Sequence, residues 1–245
     1  MRYGVLSDVH SNLPALKAVL AALEEEGVDE YLCLGDIVGY GPFPNECCEI
    51  LAELGARCVR GNHDEAAINP SKELWFTSAA LTCIRWTRDV LTDANRLFLA
   101  GLEPRYIGEH FVLCHGSIPD PDFYTTSPRD ALLSFRVLAQ QLAFFGHTHY
   151  AEWFEYDPTR QRLPSLRPSP DGDKVLLREG VQYMVNPGSV GQPRDRRSSA
   201  AFAILDLEEG SFELKRVPYN IAETQQAILE AGLPEAMARR LSVGM

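Results

Sequence analysis

The chain has 245 residues, 45% hydrophobic and 23% charged, with a formal net charge of −11. This is the composition of a globular protein with ample material for a core. The acidic balance argues against duplex nucleic acid or an anionic membrane as partner, since both call for clustered positive charge.

RYGVLS (2–7) reads as a buried strand, and residues 13–27 as a helix capped by Asn12 and stopped at Gly27. A second strand (30–35), a second helix (44–55) and a third strand (56–61) follow. This β-α-β-α-β rhythm implies a parallel sheet with helices on its faces. Residues 72–100 have helical character, with Thr92 capping the later part. Strands at 111–116 and 142–147 flank a helix near 128–139. Beyond residue 150 come five strand patterns with few helices between them (151–156, 174–179, 182–186, 200–207 and 211–217), which suggests a second sheet, antiparallel in part. Residues 157–172 are rich in proline and charge and read as an exposed excursion. Residues 221–241 read as a helical tail, broken near Gly232–Pro234. With no clear linker, residues 1–245 are expected to form one domain of two packed sheets. No apolar run reaches membrane-spanning length and no secretory leader is evident. The six cysteines form no C-x-x-C pair. Reduced, mostly buried thiols in a cytoplasm are therefore expected, and Cys114 in particular reads as a core thiol.

Several strands end in polar clusters. SDVHSN supplies Asp8 and His10, GDIVGYG supplies Asp36, and RGNHDE supplies Asn62, His63 and Asp64. VLCHGS supplies His115, and FFGHTHY supplies His147 and His149. In an open parallel sheet, the carboxyl ends of the strands line the ligand crevice. In an extended segment, period two would point His147 and His149 to one side. Five of the six histidines thus gather at one expected edge, and His110 stands apart.

Carboxylates, imidazoles and one amide oxygen make a mixed oxygen–nitrogen ligand set. It suits manganese, iron, zinc or cobalt better than copper or calcium. Seven ligands exceed one tetrahedral zinc but suit two divalent ions sharing a carboxylate, an arrangement used for in-line displacement at phosphorus.

D-x-H, G-D, G-N-H-D, a lone H and G-H-x-H, in this order, resemble the calcineurin-like metallophosphoesterase superfamily. NPGSVGQPRD (186–195) resembles a loop of its small bacterial phosphodiesterase-like branch. The resemblance implies a four-layer α/β/β/α sandwich of two mixed β-sheets flanked by helices. It implies one metal on Asp8, His10, Asp36 and His149, and another on Asp36, Asn62, His115 and His147, with Asp36 as the bridge and manganese the first candidate. It implies further that a metal-bridging hydroxide attacks the phosphorus, that His63 assists the leaving oxygen, and that Asp64 orients His63. A helix cap is the competing role for Asp64.

The stretch GDIVGYG places Gly39 and Tyr40 where protein phosphatases of the superfamily have Asp and Arg, which disfavours that activity. Tyr40, Arg194 and the backbone of Gly188 and Ser189 are the candidate substrate contacts, with local packing the alternative for Tyr40 and an exposed basic loop for Arg194. The expected function is hydrolysis of small phosphodiesters. A phosphomonoesterase, or a nucleoside polyphosphate hydrolase with an additional cationic surface, is the alternative within the fold; a non-catalytic metal-binding scaffold is the alternative outside catalysis.

Overall fold

The computed structural model describes residues 1–160, 162–169 and 172–245. The first half runs β1 (Arg2–Leu6), α1 (Leu13–Glu25), β2 (Glu30–Cys33), α2 (Pro44–Glu53), β3 (Arg57–Cys58), α3 (Asn62–Ile68), α4 (Ser78–Val90) and α5 (Asp93–Ala100). Next come β4 (Arg105–Ile107), β5 (Phe111–Cys114), α6 (Pro128–Phe135), β6 (Leu142–Phe144) and β7 (Ala151–Tyr156). The remainder is β8 (Ser165–Leu166), β9 (Asp173–Leu176), β10 (Gln182–Pro187), β11 (Ala200–Asp206), β12 (Ser211–Val217), α7 (Ile221–Glu230) and α8 (Glu235–Leu241).

Local chemistry explains most boundaries. The Asn12 side chain accepts the Ala15 amide at 3.3 Å and starts α1. Thr92 accepts the Asn95 amide at 3.3 Å and starts α5. The helical stretch expected over 72–100 is interrupted: a 3₁₀ turn covers Pro70–Trp75, and Leu91 leaves α4 at ψ 132° before Thr92 restarts the chain. Gly232, at φ +70°, separates α7 from α8.

Two mixed sheets form, ordered β3-β2-β1-β11-β12-β9 and β4-β5-β6-β10-β7-β8. This corrects the division drawn from the sequence. The later strands do not make a sheet of their own. β11 pairs antiparallel with β1, while β10 pairs parallel with β6 and antiparallel with β7. Side-chain pattern reports which faces of a strand are buried, not which strand lies beside it, so sheet membership was not readable. The short edge strands β4 and β8 were also missed, the second lying in the 157–172 stretch expected to be an excursion.

The faces of the two sheets meet over Val5, Leu32, Leu113, Phe144, Tyr183 and Phe212. On the outer face of the first sheet, Leu16, Val19 and Leu23 of α1 pack with Cys47 and Leu51 of α2. On the outer face of the second, Ala131 and Phe135 of α6 pack against Phe145 and Phe154. The order helix, sheet, sheet, helix is the expected four-layer sandwich. Each leucine buried this way contributes about 1.5–3 kcal/mol. α7 and α8 fold back on α4, where Ile228, Met237 and Leu241 bury Cys83 with Tyr40 packed alongside. Cys114 is fully buried, and burial pushes its thiol up to about 12. Among the described residues no helix is long and apolar enough to cross a membrane.

Candidate metal centre

The polar clusters converge where both sheets end. Asp8 follows β1, Asp36 follows β2 and Asn62 opens α3, while His115 follows β5 and His147 and His149 follow β6. The ligand crevice thus draws on two sheets rather than on the end of one. β6 stops at Phe144, three residues before His147, so an extended segment is not what aims the two histidines. Both are in the left-handed region, at φ 67° and 62°. Asp8, His10 and Asp36 share that conformation, at φ 53°, 49° and 52°. Such backbone costs roughly 1–2 kcal/mol per residue and persists where the surroundings over-determine it, as at functional sites. Here the surroundings are hydrogen-bonded loops: the Asp8 amide donates to Gly35 O at 3.1 Å, and the amides of His10 and Ser11 to Asp36 O and Ile37 O at 2.9 Å.

Two groups of buried side chains come together: Asp8, His10, Asp36 and His149 form one, and Asp36, His115 and His147 the other. Within each, one ligand atom per residue lies within 4.8 Å of the rest. Asn62 joins the second group, its Oδ1 3.1 Å from His115 Nε2. Asp36 belongs to both, its Oδ2 lying 3.6 Å from His10 Nε2 and 3.3 Å from His115 Nε2.

The donor set fits cations. Nδ1 of His10 meets Val38 O at 3.1 Å, that of His115 meets Leu34 O at 2.8 Å, and that of His149 meets Gln192 O at 2.6 Å. A carbonyl only accepts, so each of these Nδ1 atoms carries a proton and each ring turns its Nε2 toward the centre; on the neutral rings of His10 and His149 that Nε2 is bare. The Nε2 atoms of His10 and His149 lie 3.1 Å apart. Lone pairs that face each other and two carboxylates need a positive charge among them. Burial holds His10, His147 and His149 well below the ordinary histidine range, which keeps them as neutral ligands. Burial also lowers His115, but Asp36 and Asp8 outweigh it and raise this ring to about 10. Positive charge is drawn to the middle of the cluster.

His63 lines a cavity of about 500 Å³ together with Asn62, His147, Tyr40, Phe76 and Tyr124. Its Nδ1 is buried without a partner among the described residues, and burial lowers the ring to about 4. Asp64 does not hold it. Asp64 Oδ1 accepts the Val38 amide at 3.1 Å and Oδ2 the Gly61 amide at 3.0 Å. Those bonds cap α3 and tie it to the Asp36 loop, so the orienting role is replaced by the capping one. Tyr40 does face the site, its ring centroid 4.6 Å from that of His10 and 4.4 Å from that of His63. Arg194 Nη2 reaches the Tyr40 hydroxyl at 3.4 Å.

Gly188 and Ser189 line neither this cavity nor its neighbour. The Gly188 amide donates to Asn186 Oδ1 at 2.9 Å, and the Ser189 hydroxyl donates to Asp8 O at 2.8 Å. Ser189 braces the Asp8 loop from behind and Gly188 turns back on Asn186, so the expectation of substrate contact is corrected.

Other supporting residues were not singled out from the sequence. Ser7 Oγ donates to Asp8 Oδ2 at 2.5 Å, and Gln192 meets the His149 ring through its carbonyl. Tyr124 stacks 3.7 Å from His147 and Phe76 4.8 Å from His63. Gly61 and Gly146 are required by contact. A Cβ on Gly61 would lie 2.2 Å from Asp36 Oδ1, and one on Gly146 would lie 2.8 Å from Asp8 Oδ2. Of these, only the glycines were visible, as part of the G-N-H-D and G-H-x-H motifs.

The sandwich and its ligand groups have the form of a metallophosphoesterase, and the calcineurin-like phosphoesterase superfamily domain matches residues 1–210. The chain belongs to that superfamily and is a metal-dependent phosphoric ester hydrolase. It is 38% identical to the metallophosphoesterase of Sphaerobacter thermophilus, whose crystal structure matches with a TM-score of 0.90 over 100% of this chain and 99% of that one. An uncharacterised protein of Methanocaldococcus jannaschii is 34% identical over 98% of this chain and 97% of its own. The phosphodiesterase YfcE of Escherichia coli is 24% identical over 84% of this chain and 88% of its own.

Proposed function

We propose that the protein hydrolyses small phosphodiesters at a centre of two divalent ions, manganese foremost. The observation that carries this is the sharing of Asp36 between two buried ligand groups beside a cavity sized for a small molecule. Asp8, His10, Asp36 and His149 would hold one ion; Asp36, Asn62, His115 and His147 the other. When bound, such a pair supplies Lewis acidity for a phosphate and lowers the pKa of water enough to make a nucleophile near neutral pH.

The chain's own groups do the rest. Carbonyls of Leu34, Val38 and Gln192 hold three ligand rings in the tautomer that presents Nε2. His63 lines the cavity and would engage the leaving oxygen from there, and the Tyr40 and Phe76 rings beside it limit its rotation. Arg194, beside Tyr40, is the side chain best placed to meet a non-bridging phosphate oxygen. The preference for diesters is supported by the likeness to the phosphodiesterase YfcE.

The test is hydrolysis of bis-p-nitrophenyl phosphate by metal-stripped protein, with and without added manganese. Manganese-dependent turnover is expected. No turnover with any divalent ion, alongside turnover of p-nitrophenyl phosphate, would overturn the diester preference.

A further inference from the structure

A second cavity, of about 710 Å³, lies beside the first, and Tyr124 lines both. Arg167, Arg194 and Arg196 face into it with Tyr150 and Glu152. In a chain of net charge −11, three guanidinium groups around one cavity call for counter-charge, and the two acids in its wall, Glu152 and Asp195, provide only part of it. Asp195, in the wall of the cavity, is engaged by Arg216 from outside it. Arg167 lies 5.5 Å over the Tyr150 ring. Arg194 Nε is buried without a partner among the described residues, and its Nη2 reaches only Tyr40 Oη at 3.4 Å and Gln192 Oε1 at 3.3 Å. The one other carboxylate, Glu152, is 3% exposed and accepts from Ser165 at 3.4 Å. Three cations against two acids, one of them shared with Arg216, leave the cavity positive, and guanidinium forks match the oxygens of a phosphate.

The second cavity is also coupled to the metal centre. The Arg194 amide donates to the carbonyl of the ligand His149 at 3.3 Å, and Thr148, between the two histidine ligands, is in its wall. A molecule with one phosphate at the ions would therefore extend past Tyr124 toward Arg167 and Arg196.

We infer that this cavity binds a second phosphate, carried on the alcohol portion of the substrate whose scissile phosphate sits at the metal centre. The inference rests on the phosphoesterase reading of that centre and deepens it. The faces of Tyr124 and Tyr150 suit the sugar or base between the two phosphates, and Glu152 can accept a hydroxyl donor from it. The cavity is the additional cationic surface that a polyphosphorylated substrate requires.

Calorimetric binding to the manganese-loaded protein tests this without turnover. Thymidine 3′,5′-bisphosphate and thymidine 5′-monophosphate are titrated into the wild type and into an Arg167→Ala/Arg196→Ala double variant. The bisphosphate is expected to bind about tenfold tighter than the monophosphate, the worth of one charge-assisted contact, and the double variant to lose that advantage while still binding the monophosphate. Equal affinities in the wild type, or an advantage that survives in the double variant, would overturn the inference. Hydrolysis of bis-p-nitrophenyl phosphate by the same preparation reports separately on the diesterase reading, since that ester has no second phosphate.

Discussion

Asp36 divides its carboxylate between structure and chemistry. Oδ1 accepts the His63 amide at 2.8 Å, while Oδ2 faces His115 at 3.3 Å and His10 at 3.6 Å. Asparagine in its place would keep an acceptor for the amide and tolerate φ 52°, but would lose the charge shared by the two ligand groups. Asp36→Asn should therefore fold with a melting temperature close to that of the metal-free wild type. Its metal content should drop, and turnover should fall at least about a hundredfold, the upper range for disturbing a metal site. Elemental analysis with thermal melts checks this; full metal loading would show that Asp36 is no bridge.

His63 touches the cavity but belongs to neither ligand group. His63→Ala should retain the metal content of the wild type and lose roughly a hundred- to ten-thousandfold in kcat, the usual worth of general acid–base assistance. Unchanged kcat would show that His63 takes no part in the chemistry.

Gly61 lets two loops touch. A Cβ there would meet Asp36 Oδ1 at 2.2 Å and Asp36 N at 2.3 Å. Gly61→Ala should displace Asp36, reduce metal content and cost about 1–3 kcal/mol. Gly27→Ala is the control: its Cβ meets nothing within 4 Å, so only the left-handed backbone penalty of about 1 kcal/mol applies. Metal content should fall in the first and not in the second. Equal metal content in both would refute the close approach.

Glu152 ties stability to pH. Burial raises its carboxyl from an ordinary 4.5 to about 7, with Arg167 and Ser165 pulling the other way. A group that holds its proton more tightly folded than unfolded supports the fold at low pH and withdraws that support as pH rises from about 4.5 through about 7. Glu152→Gln removes the penalty, which is on the order of 2 kcal/mol. The variant should melt level with the wild type near pH 5 and several degrees above it at pH 8. A difference independent of pH would mean that the carboxyl ionises freely in the fold.

The sequence alone brought out the residues of the two groups that could hold metal ions. Asp8, His10, Asp36, Asn62, His115, His147 and His149 stand in short motifs at strand ends, and a ligand's chemistry is local to its side chain. The β-α-β rhythm and the caps at Asn12 and Thr92 were legible for the same reason, because they depend on neighbours within a turn or two. Tertiary structure decided what depends on distant partners. β11 lies beside β1 because their faces bury together across some two hundred residues of chain, which no local pattern encodes. Asp64 became a cap because the amides of Val38 and Gly61 reached it first. Ser189 turned toward the Asp8 loop and Gly188 toward Asn186, not the substrate cavity. The arginines at 167, 194 and 196 looked like ordinary surface charge until the fold set them around one cavity whose two acids, Glu152 and Asp195, offset only part of their charge. Charge in a sequence is a sum; only packing decides which charges are left uncompensated, and where.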